Sequence, residues 1–371
     1  MTRIKSMALT VVDSEHSVRW TERAWDNHLT TTILTVSDTD GVVGIGGWDS
    51  YTPGEPDRSV AETIRSLAPA ILGRDVTCRE SLADELRIGV IFPHSPEALS
   101  VMNIALWDLA AKRAETPLYK MLGGARERIP AYASTETMPD IEDYLAMVAR
   151  ARADGLRAVK VHAWGEPERD IELLQSIREA DPDLVLMHDA EGVYDRHGAL
   201  RVGRALEQIG ARWYEAPLPD WDIEGYRELR SKLDVPVLAA GYTVSDVHQI
   251  AAALCDPPFS AIRADIGISG GLSNLCRLAE LAAAHSMDLE PVSYGHSLRQ
   301  LANLHVMLAY PNISFLELAY PLEPYEYGVT SPLLRPDCDG MVCATDGPGL
   351  GIELDWTWID QHAALRMRLP E

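Results

Sequence analysis

The chain has 371 residues, 46% of them apolar, and a formal net charge of −23 from 56 acidic and 33 basic side chains. So acidic a balance repels nucleic acid phosphates and anionic membrane surfaces. The basic residues are scattered rather than gathered into a patch, and no run approaches the roughly 20 apolar residues of a membrane span. The five cysteines lie far apart and suggest neither a disulfide framework nor a zinc knuckle; Met1-Thr2-Arg3-Ile4-Lys5 is followed by too short an apolar core for a secretory signal, so a soluble, cytoplasmic setting is expected.

In chain order, Thr30–Val36 and Val42–Gly46 are apolar and β-branched runs around Asp38-Thr39-Asp40-Gly41, which predicts a hairpin. Ser59–Leu72 and Pro96–Ala114 carry helical periodicity, so residues 1–125 read as an α+β capping domain. From there short apolar runs recur about every 25 residues. They are centred near Ala133, Lys160, Met187, Trp213, Leu238, Arg263, Leu289 and Phe315. The segments between them, such as Glu166–Ala180, Gly198–Ile209, Ile223–Lys232, Ser245–Leu254 and Gly271–His285, are helical in pattern. Eight repeats predict a (β/α) TIM-type barrel over 126–326. The remaining residues, 327–371, are short and rich in Pro and Gly, and are expected to pack back on the capping domain.

Barrels of this kind keep their chemistry at the carboxyl ends of the strands. In Ala158-Val159-Lys160-Val161-His162, alternation puts Lys160 and His162 on one face, where either could take a proton from carbon or hold a carboxylate. The next two strands end in His188-Asp189-Ala190-Glu191 and Glu215-Ala216-Pro217. Carboxylates on adjacent strand ends suit a hard divalent cation such as Mg²⁺. The sixth strand ends in Ala264-Asp265, the eighth reads Ser314-Phe315-Leu316-Glu317, and His296 follows the seventh, so an Asp265–His296 pairing is open to a proton-transfer role.

These residues, with Asn103-Ile104-Ala105-Leu106-Trp107-Asp108-Leu109, Pro117-Leu118-Tyr119, Leu122-Gly123-Gly124 and Pro348-Gly349-Leu350-Gly351-Ile352, resemble the enolase superfamily in its mandelate racemase and muconate lactonizing branch. The resemblance covers nearly the whole chain. It implies Mg²⁺, a substrate carboxylate bound to it, abstraction of the proton alpha to that carboxylate, and electrostatic stabilisation of the enediolate. It assigns Asp189 and Glu215 to the first two metal ligands, Lys160 and His162 to the basic pair, Asp265 to the Asp of a His–Asp dyad, and Glu317 to the acid that hydrogen-bonds the developing charge. It also implies a homo-oligomer, a dimer or an octamer.

Two positions depart from the family. Tyr242 stands where a third metal-ligating acid is expected, and Val292 where the seventh-strand His is expected. In one reading the site is rewired, Glu191 supplying the carboxylate and His296 the imidazole, and the protein dehydrates a hydroxy or sugar acid. Glu191 is equally consistent with a solvated loop acid, and His296 with a helix-start residue satisfied by backbone. In a second, Lys160, His162 and Tyr242 work without metal as an isomerase or lyase site. In a third, the chain is a non-catalytic relative that binds a ligand. Loss of the seventh-strand base favours one-base elimination or isomerisation over racemisation. Specificity is expected from loops near Trp20–His28 and Trp48–Tyr51, with Trp25, His28, Trp48, Tyr51 and Tyr242 as substrate-binding candidates.

Overall fold

The computed structural model describes residues 2–21, 25–88 and 95–370. Strands β1 (Ile4–Val18), β2 (Asn27–Asp38) and β3 (Val43–Thr52) form an antiparallel sheet, the β2–β3 hairpin turning where Asp38 Oδ1 accepts the amides of Asp40 and Val42. Helices α1 (Ser59–Ile71), α2 (Arg79–Ile88) and α3 (Pro96–Arg113) cover it, burying an apolar cluster that includes Leu9, Leu34, Val36, Ile64, Val101 and Leu109.

Eight parallel strands follow: β4 (Arg128–Ser134), β5 (Ala158–His162), β6 (Val185–Asp189), β7 (Tyr214–Glu215), β8 (Val237–Leu238), β9 (Ile262–Asp265), β10 (Leu289–Val292) and β11 (Leu316–Ala319). Hydrogen bonding runs β11–β4–β5–β6–β7–β8, with β9–β10 as a separate pair. Tyr132, Trp213 and Phe315 meet edge to face inside the barrel. Such interior layers make the barrel a packed core, so only its mouth can hold a ligand.

The carboxyl-terminal segment divides between both parts. Ala363–Leu369 pairs with β1, whereas Met341–Cys343 pairs with β4, so the segment straddles the barrel and the cap rather than packing on the cap alone. The seam is tied by Asp108 of α3. Its buried carboxylate accepts the amides of Ile45 and Leu350, both at 2.7 Å, and meets Lys112 Nζ at 2.7 Å. The Asn103–Leu109 run is therefore a structural clamp. Ser100 Oγ donates to the Ile266 carbonyl, and Asn103 and Trp107 bond Ser273, which docks the cap on the barrel's sixth unit.

Two glycines permit close approach of the cap to the barrel mouth. A Cβ on Gly267 would lie 1.9 Å from the Trp48 ring, and one on Gly295, whose φ is +142°, would lie 2.3 Å from Asp49 Oδ2. The carboxyl-terminal half of β3 thus sits directly over the mouth. No helix among the described residues is long and apolar enough to cross a membrane.

Candidate active site

The β-ladder register sets His162 beside Asp189, and Asp189 beside Glu215. Neighbours in register share a face, so three consecutive strand ends present these groups to one cavity of about 440 Å³. Lys160, one alternation deeper than His162, is 2% exposed. Its ammonium contacts Asp189 Oδ2 at 2.8 Å, Glu317 Oε1 at 2.9 Å and Glu215 Oε2 at 3.1 Å. Burial alone would lower the Lys160 pKa, but the three carboxylates outweigh it and hold the ammonium well above its ordinary value.

His162 Nδ1 donates to the Thr135 carbonyl at 2.6 Å, which turns Nε2 toward Asp189 Oδ2 at 3.2 Å and Glu191 Oε1 at 3.3 Å. Burial opposes the imidazolium, yet Asp189 and Glu191 raise the pKa to about 10. Glu191 reaches this position from a left-handed backbone, φ +51°, its amide donating to Asp189 Oδ1 at 3.0 Å. A non-glycine residue held there is strained, and such strain clusters at functional sites.

Two buried arginines that sequence reasoning had not assigned to the site complete the charge set. Arg263 Nε meets Glu215 Oε1 at 2.7 Å, and another of its nitrogens meets Glu317 Oε2 at 2.9 Å. Its signal was present in the sequence: it lies two residues before Asp265 on the same strand, hence on the same face. Arg299, from the helix Ser297–Ala309, pairs with Asp265. Nothing in spacing marks this one, since it lies in an ordinary helical run. Trp20 and Tyr294 also line the cavity.

The candidates divide accordingly. Lys160, His162, Asp189, Glu191, Glu215, Tyr242, Asp265, Glu317, Trp48 and Tyr51 line the cavity together, as does Val292. His296 does not. Its Nε2 donates to the Tyr327 carbonyl at 2.7 Å and its Nδ1 accepts the Leu298 amide at 3.2 Å as a helix cap, so both ring nitrogens are engaged away from the site. The anticipated Asp265–His296 pairing is likewise replaced by Asp265–Arg299. His28 is bound to Asp13 at 2.7 Å, and Trp25 is 73% exposed; neither lines the cavity. Residues 22–24 of the Trp20–His28 loop lie outside the described residues.

The donors present fit a divalent cation, though not in the arrangement that the family resemblance implies. Asp189 and Glu215, the expected pair, are bridged by the Lys160 ammonium, and Tyr242 offers a phenol that is a poor ligand for a hard cation. The groups that do converge are His162, Asp189 and Glu191, whose ligand atoms all lie within 4.8 Å of one another. The charge balance fits as well. Among the described residues, Asp189, Glu191, Glu215, Asp265 and Glu317 face Lys160, Arg263, Arg299 and the His162 imidazolium, which leaves a small negative excess that Asp49, Asp57 and Glu97 enlarge. A divalent cation fits the carboxylates of this set, whose oxygens suit Mg²⁺ or Mn²⁺, with the His162 imidazolium beside it.

Comparison with known proteins agrees with this architecture. Residues 11–123 match the mandelate racemase/muconate lactonizing enzyme N-terminal domain family, and residues 143–358 the enolase C-terminal domain-like family. L-talarate/galactarate dehydratase of Salmonella typhimurium is 30% identical over 340 residues, 87% of this chain and 80% of that protein. D-galactarolactone cycloisomerase of Agrobacterium fabrum is 28% identical, with 91% of each chain covered. Among solved structures, one described as a mandelate racemase/muconate lactonizing enzyme from Pseudovibrio sp. superposes over all of both chains with a TM-score of 0.96 at 30% identity. The Salmonella dehydratase liganded with Mg and L-lyxarohydroxamate gives 0.88 at 27% identity, covering all of this chain and 95% of that one. The Salmonella protein is named a dehydratase and the Agrobacterium protein a cycloisomerase, and the present chain belongs to the enolase superfamily, in its mandelate racemase and muconate lactonizing branch.

Proposed function

We propose that this protein dehydrates a hydroxy or sugar acid, removing the proton alpha to its carboxylate from one face only, with a divalent cation held by Asp189 and Glu191 beside His162. The convergence of His162, Asp189 and Glu191 at one end of a cavity with excess negative charge carries the reading. A carboxylate substrate would be repelled from that cavity unless positive charge were added. The cation, when bound, supplies Lewis-acid stabilisation of the substrate carboxylate.

The chain's own residues supply the rest. Lys160, one alternation below His162 and in contact with Asp189, Glu215 and Glu317, is the base for the Cα proton, which it takes up as the neutral amine. His162, fixed through Thr135, is the acid for the departing hydroxyl. The Cα–H electrons form the carbon–carbon double bond as the Cβ–O bond breaks, hydroxide leaves with a proton as water, and the enol becomes a 2-keto-3-deoxy acid. Val292, standing where a second base is expected, moves no proton, which disfavours racemisation. Trp48 and Tyr51 from the cap close over the substrate, in a division into cap 1–125 and barrel 126–326. The protein works as a small-molecule enzyme in a homo-oligomer of the dimeric or octameric kind.

The test is turnover of galactarate, L-talarate, D-galactonate and arabinonate, read as 2-keto acid, before and after chelation and with Mg²⁺ or Mn²⁺ restored. Turnover that chelation removes and metal restores supports the reading. Turnover indifferent to chelation would instead support a metal-independent lyase or isomerase, which the Lys160 ammonium set between Asp189, Glu215 and Glu317 favours. No turnover of any of them sinks both.

A further inference from the structure

Arg299 is expensive where it stands. It is 4% exposed, on a helix (Ser297–Ala309) whose every residue is buried, and it occupies the first turn, where the helix dipole disfavours a cation. Only Asp265 makes an ion pair with it, and its Nε–H is buried with no hydrogen-bond partner among the described residues. The guanidinium lies 4.5 Å from the centre of the Trp48 ring, so the cap fixes its plane. It lines the same cavity as Lys160 and His162, alongside Val292. A buried, dipole-opposed cation with an unfilled donor is costly unless a ligand completes it.

We propose that Arg299 is a catalytic residue of this cavity, a fixed cation that binds the substrate's carboxylate oxygens as charge develops on them, on the side where the seventh strand offers only Val292. Asp265 orients a guanidinium here, and Trp48 holds it flat. A guanidinium stays charged throughout the working pH range, so this side donates hydrogen bonds to an oxyanion and takes no proton. The inference rests on the dehydratase reading above. It also gives a physical account of Val292: a histidine there would find Asp265 already engaged and a permanent positive charge beside it.

The experiment compares wild type with Arg299→Lys and Arg299→Met, using the sugar acid that wild type turns over in the panel above, with circular dichroism and thermal melting to confirm folding. Donors of this kind are worth about 10²–10³-fold in kcat. Arg299→Met is expected to lose that much in kcat with KM changed far less, Arg299→Lys to lose less, and guanidinium ion added to a further variant, Arg299→Ala, to restore part of the rate. Should Arg299→Met fail to fold, the lysine and alanine variants decide. Retention of kcat within two-fold in folded Arg299→Met, or loss in Arg299→Ala that guanidinium ion does not restore, overturns the inference while leaving the dehydratase reading intact. A wild type that turns over none of the panel overturns both.

Discussion

Two groups of buried polar side chains can be compared: those at the barrel mouth and those at the seam between cap, barrel and tail. At the seam, Asp108 is satisfied by the amides of Ile45 and Leu350 and by Lys112, and His305 accepts the Tyr119 amide at 3.0 Å while facing the Leu350 carbonyl at 3.2 Å. At the mouth, Lys160, Arg263, Glu215 and Glu317 bond mainly one another, around an open cavity. Polar groups paired to backbone lock one conformation and leave nothing over. Charges paired to charges beside a cavity can exchange partners with an arriving ligand, which is what chemistry requires.

The largest effect should follow from breaking the mouth. Lys160→Met removes both the base and the hub of three carboxylates, so kcat is expected to fall by about 10²–10⁴-fold. Steady-state kinetics on the sugar acid that wild type accepts checks this. A variant that keeps more than a tenth of wild-type kcat would remove Lys160 from the proposed role.

Asp108→Ala attacks the seam instead. It leaves the buried amides of Ile45 and Leu350 without their acceptor, a loss of about 1–3 kcal/mol each, while Lys112 keeps the Val43 carbonyl. Denaturant unfolding should show that loss, while kcat per folded molecule stays unchanged because Asp108 does not line the cavity. A selective loss of kcat with normal stability would contradict the division between the two groups.

How much of this was legible in the sequence follows the same division. Strand-end residues Lys160, His162, Asp189, Glu215 and Glu317 stood at the ends of short periodic runs, and alternation alone told which face they share. The long strand β1 and the carboxyl-terminal strand were not anticipated, because their runs follow neither the barrel repeat nor a turn signal. Arg299 was invisible for a different reason: its burial is made by the cap folding onto a barrel helix, a long-range contact that local pattern cannot carry. His296 misled for the converse reason, since a histidine at a strand end reads as catalytic until its ring is found capping a helix.

A smaller effect would sharpen the assignment within the mouth. Glu191→Gln keeps the shape and removes the charge, so metal affinity is expected to fall by at least about 10–100-fold, the range for losing even an outer group that supports the ligands. Titration calorimetry with Mn²⁺ and Mg²⁺ reads it. Unchanged affinity would leave Glu191 as a structural acid held by His162.

The smallest effect belongs to the seam and is a matter of pH. Burial, only partly offset by the Leu350 carbonyl, lowers the His305 pKa to about 4. The unfolded chain, with an ordinary histidine near 6.5, binds more protons between those values, so stability is fully present above about pH 6.5 and is lost as pH falls toward 4. The loss from this one residue is about 1 kcal/mol at pH 5.5 and at most about 3 kcal/mol near pH 4. Measured as the difference between wild type and His305→Gln, which cancels the many carboxylates common to both, the variant's stability should decline less steeply over that window. Parallel curves would mean that His305 takes up its proton without leaving the Tyr119 amide and the Leu350 carbonyl, and that the seam tolerates a charge as readily as the mouth does.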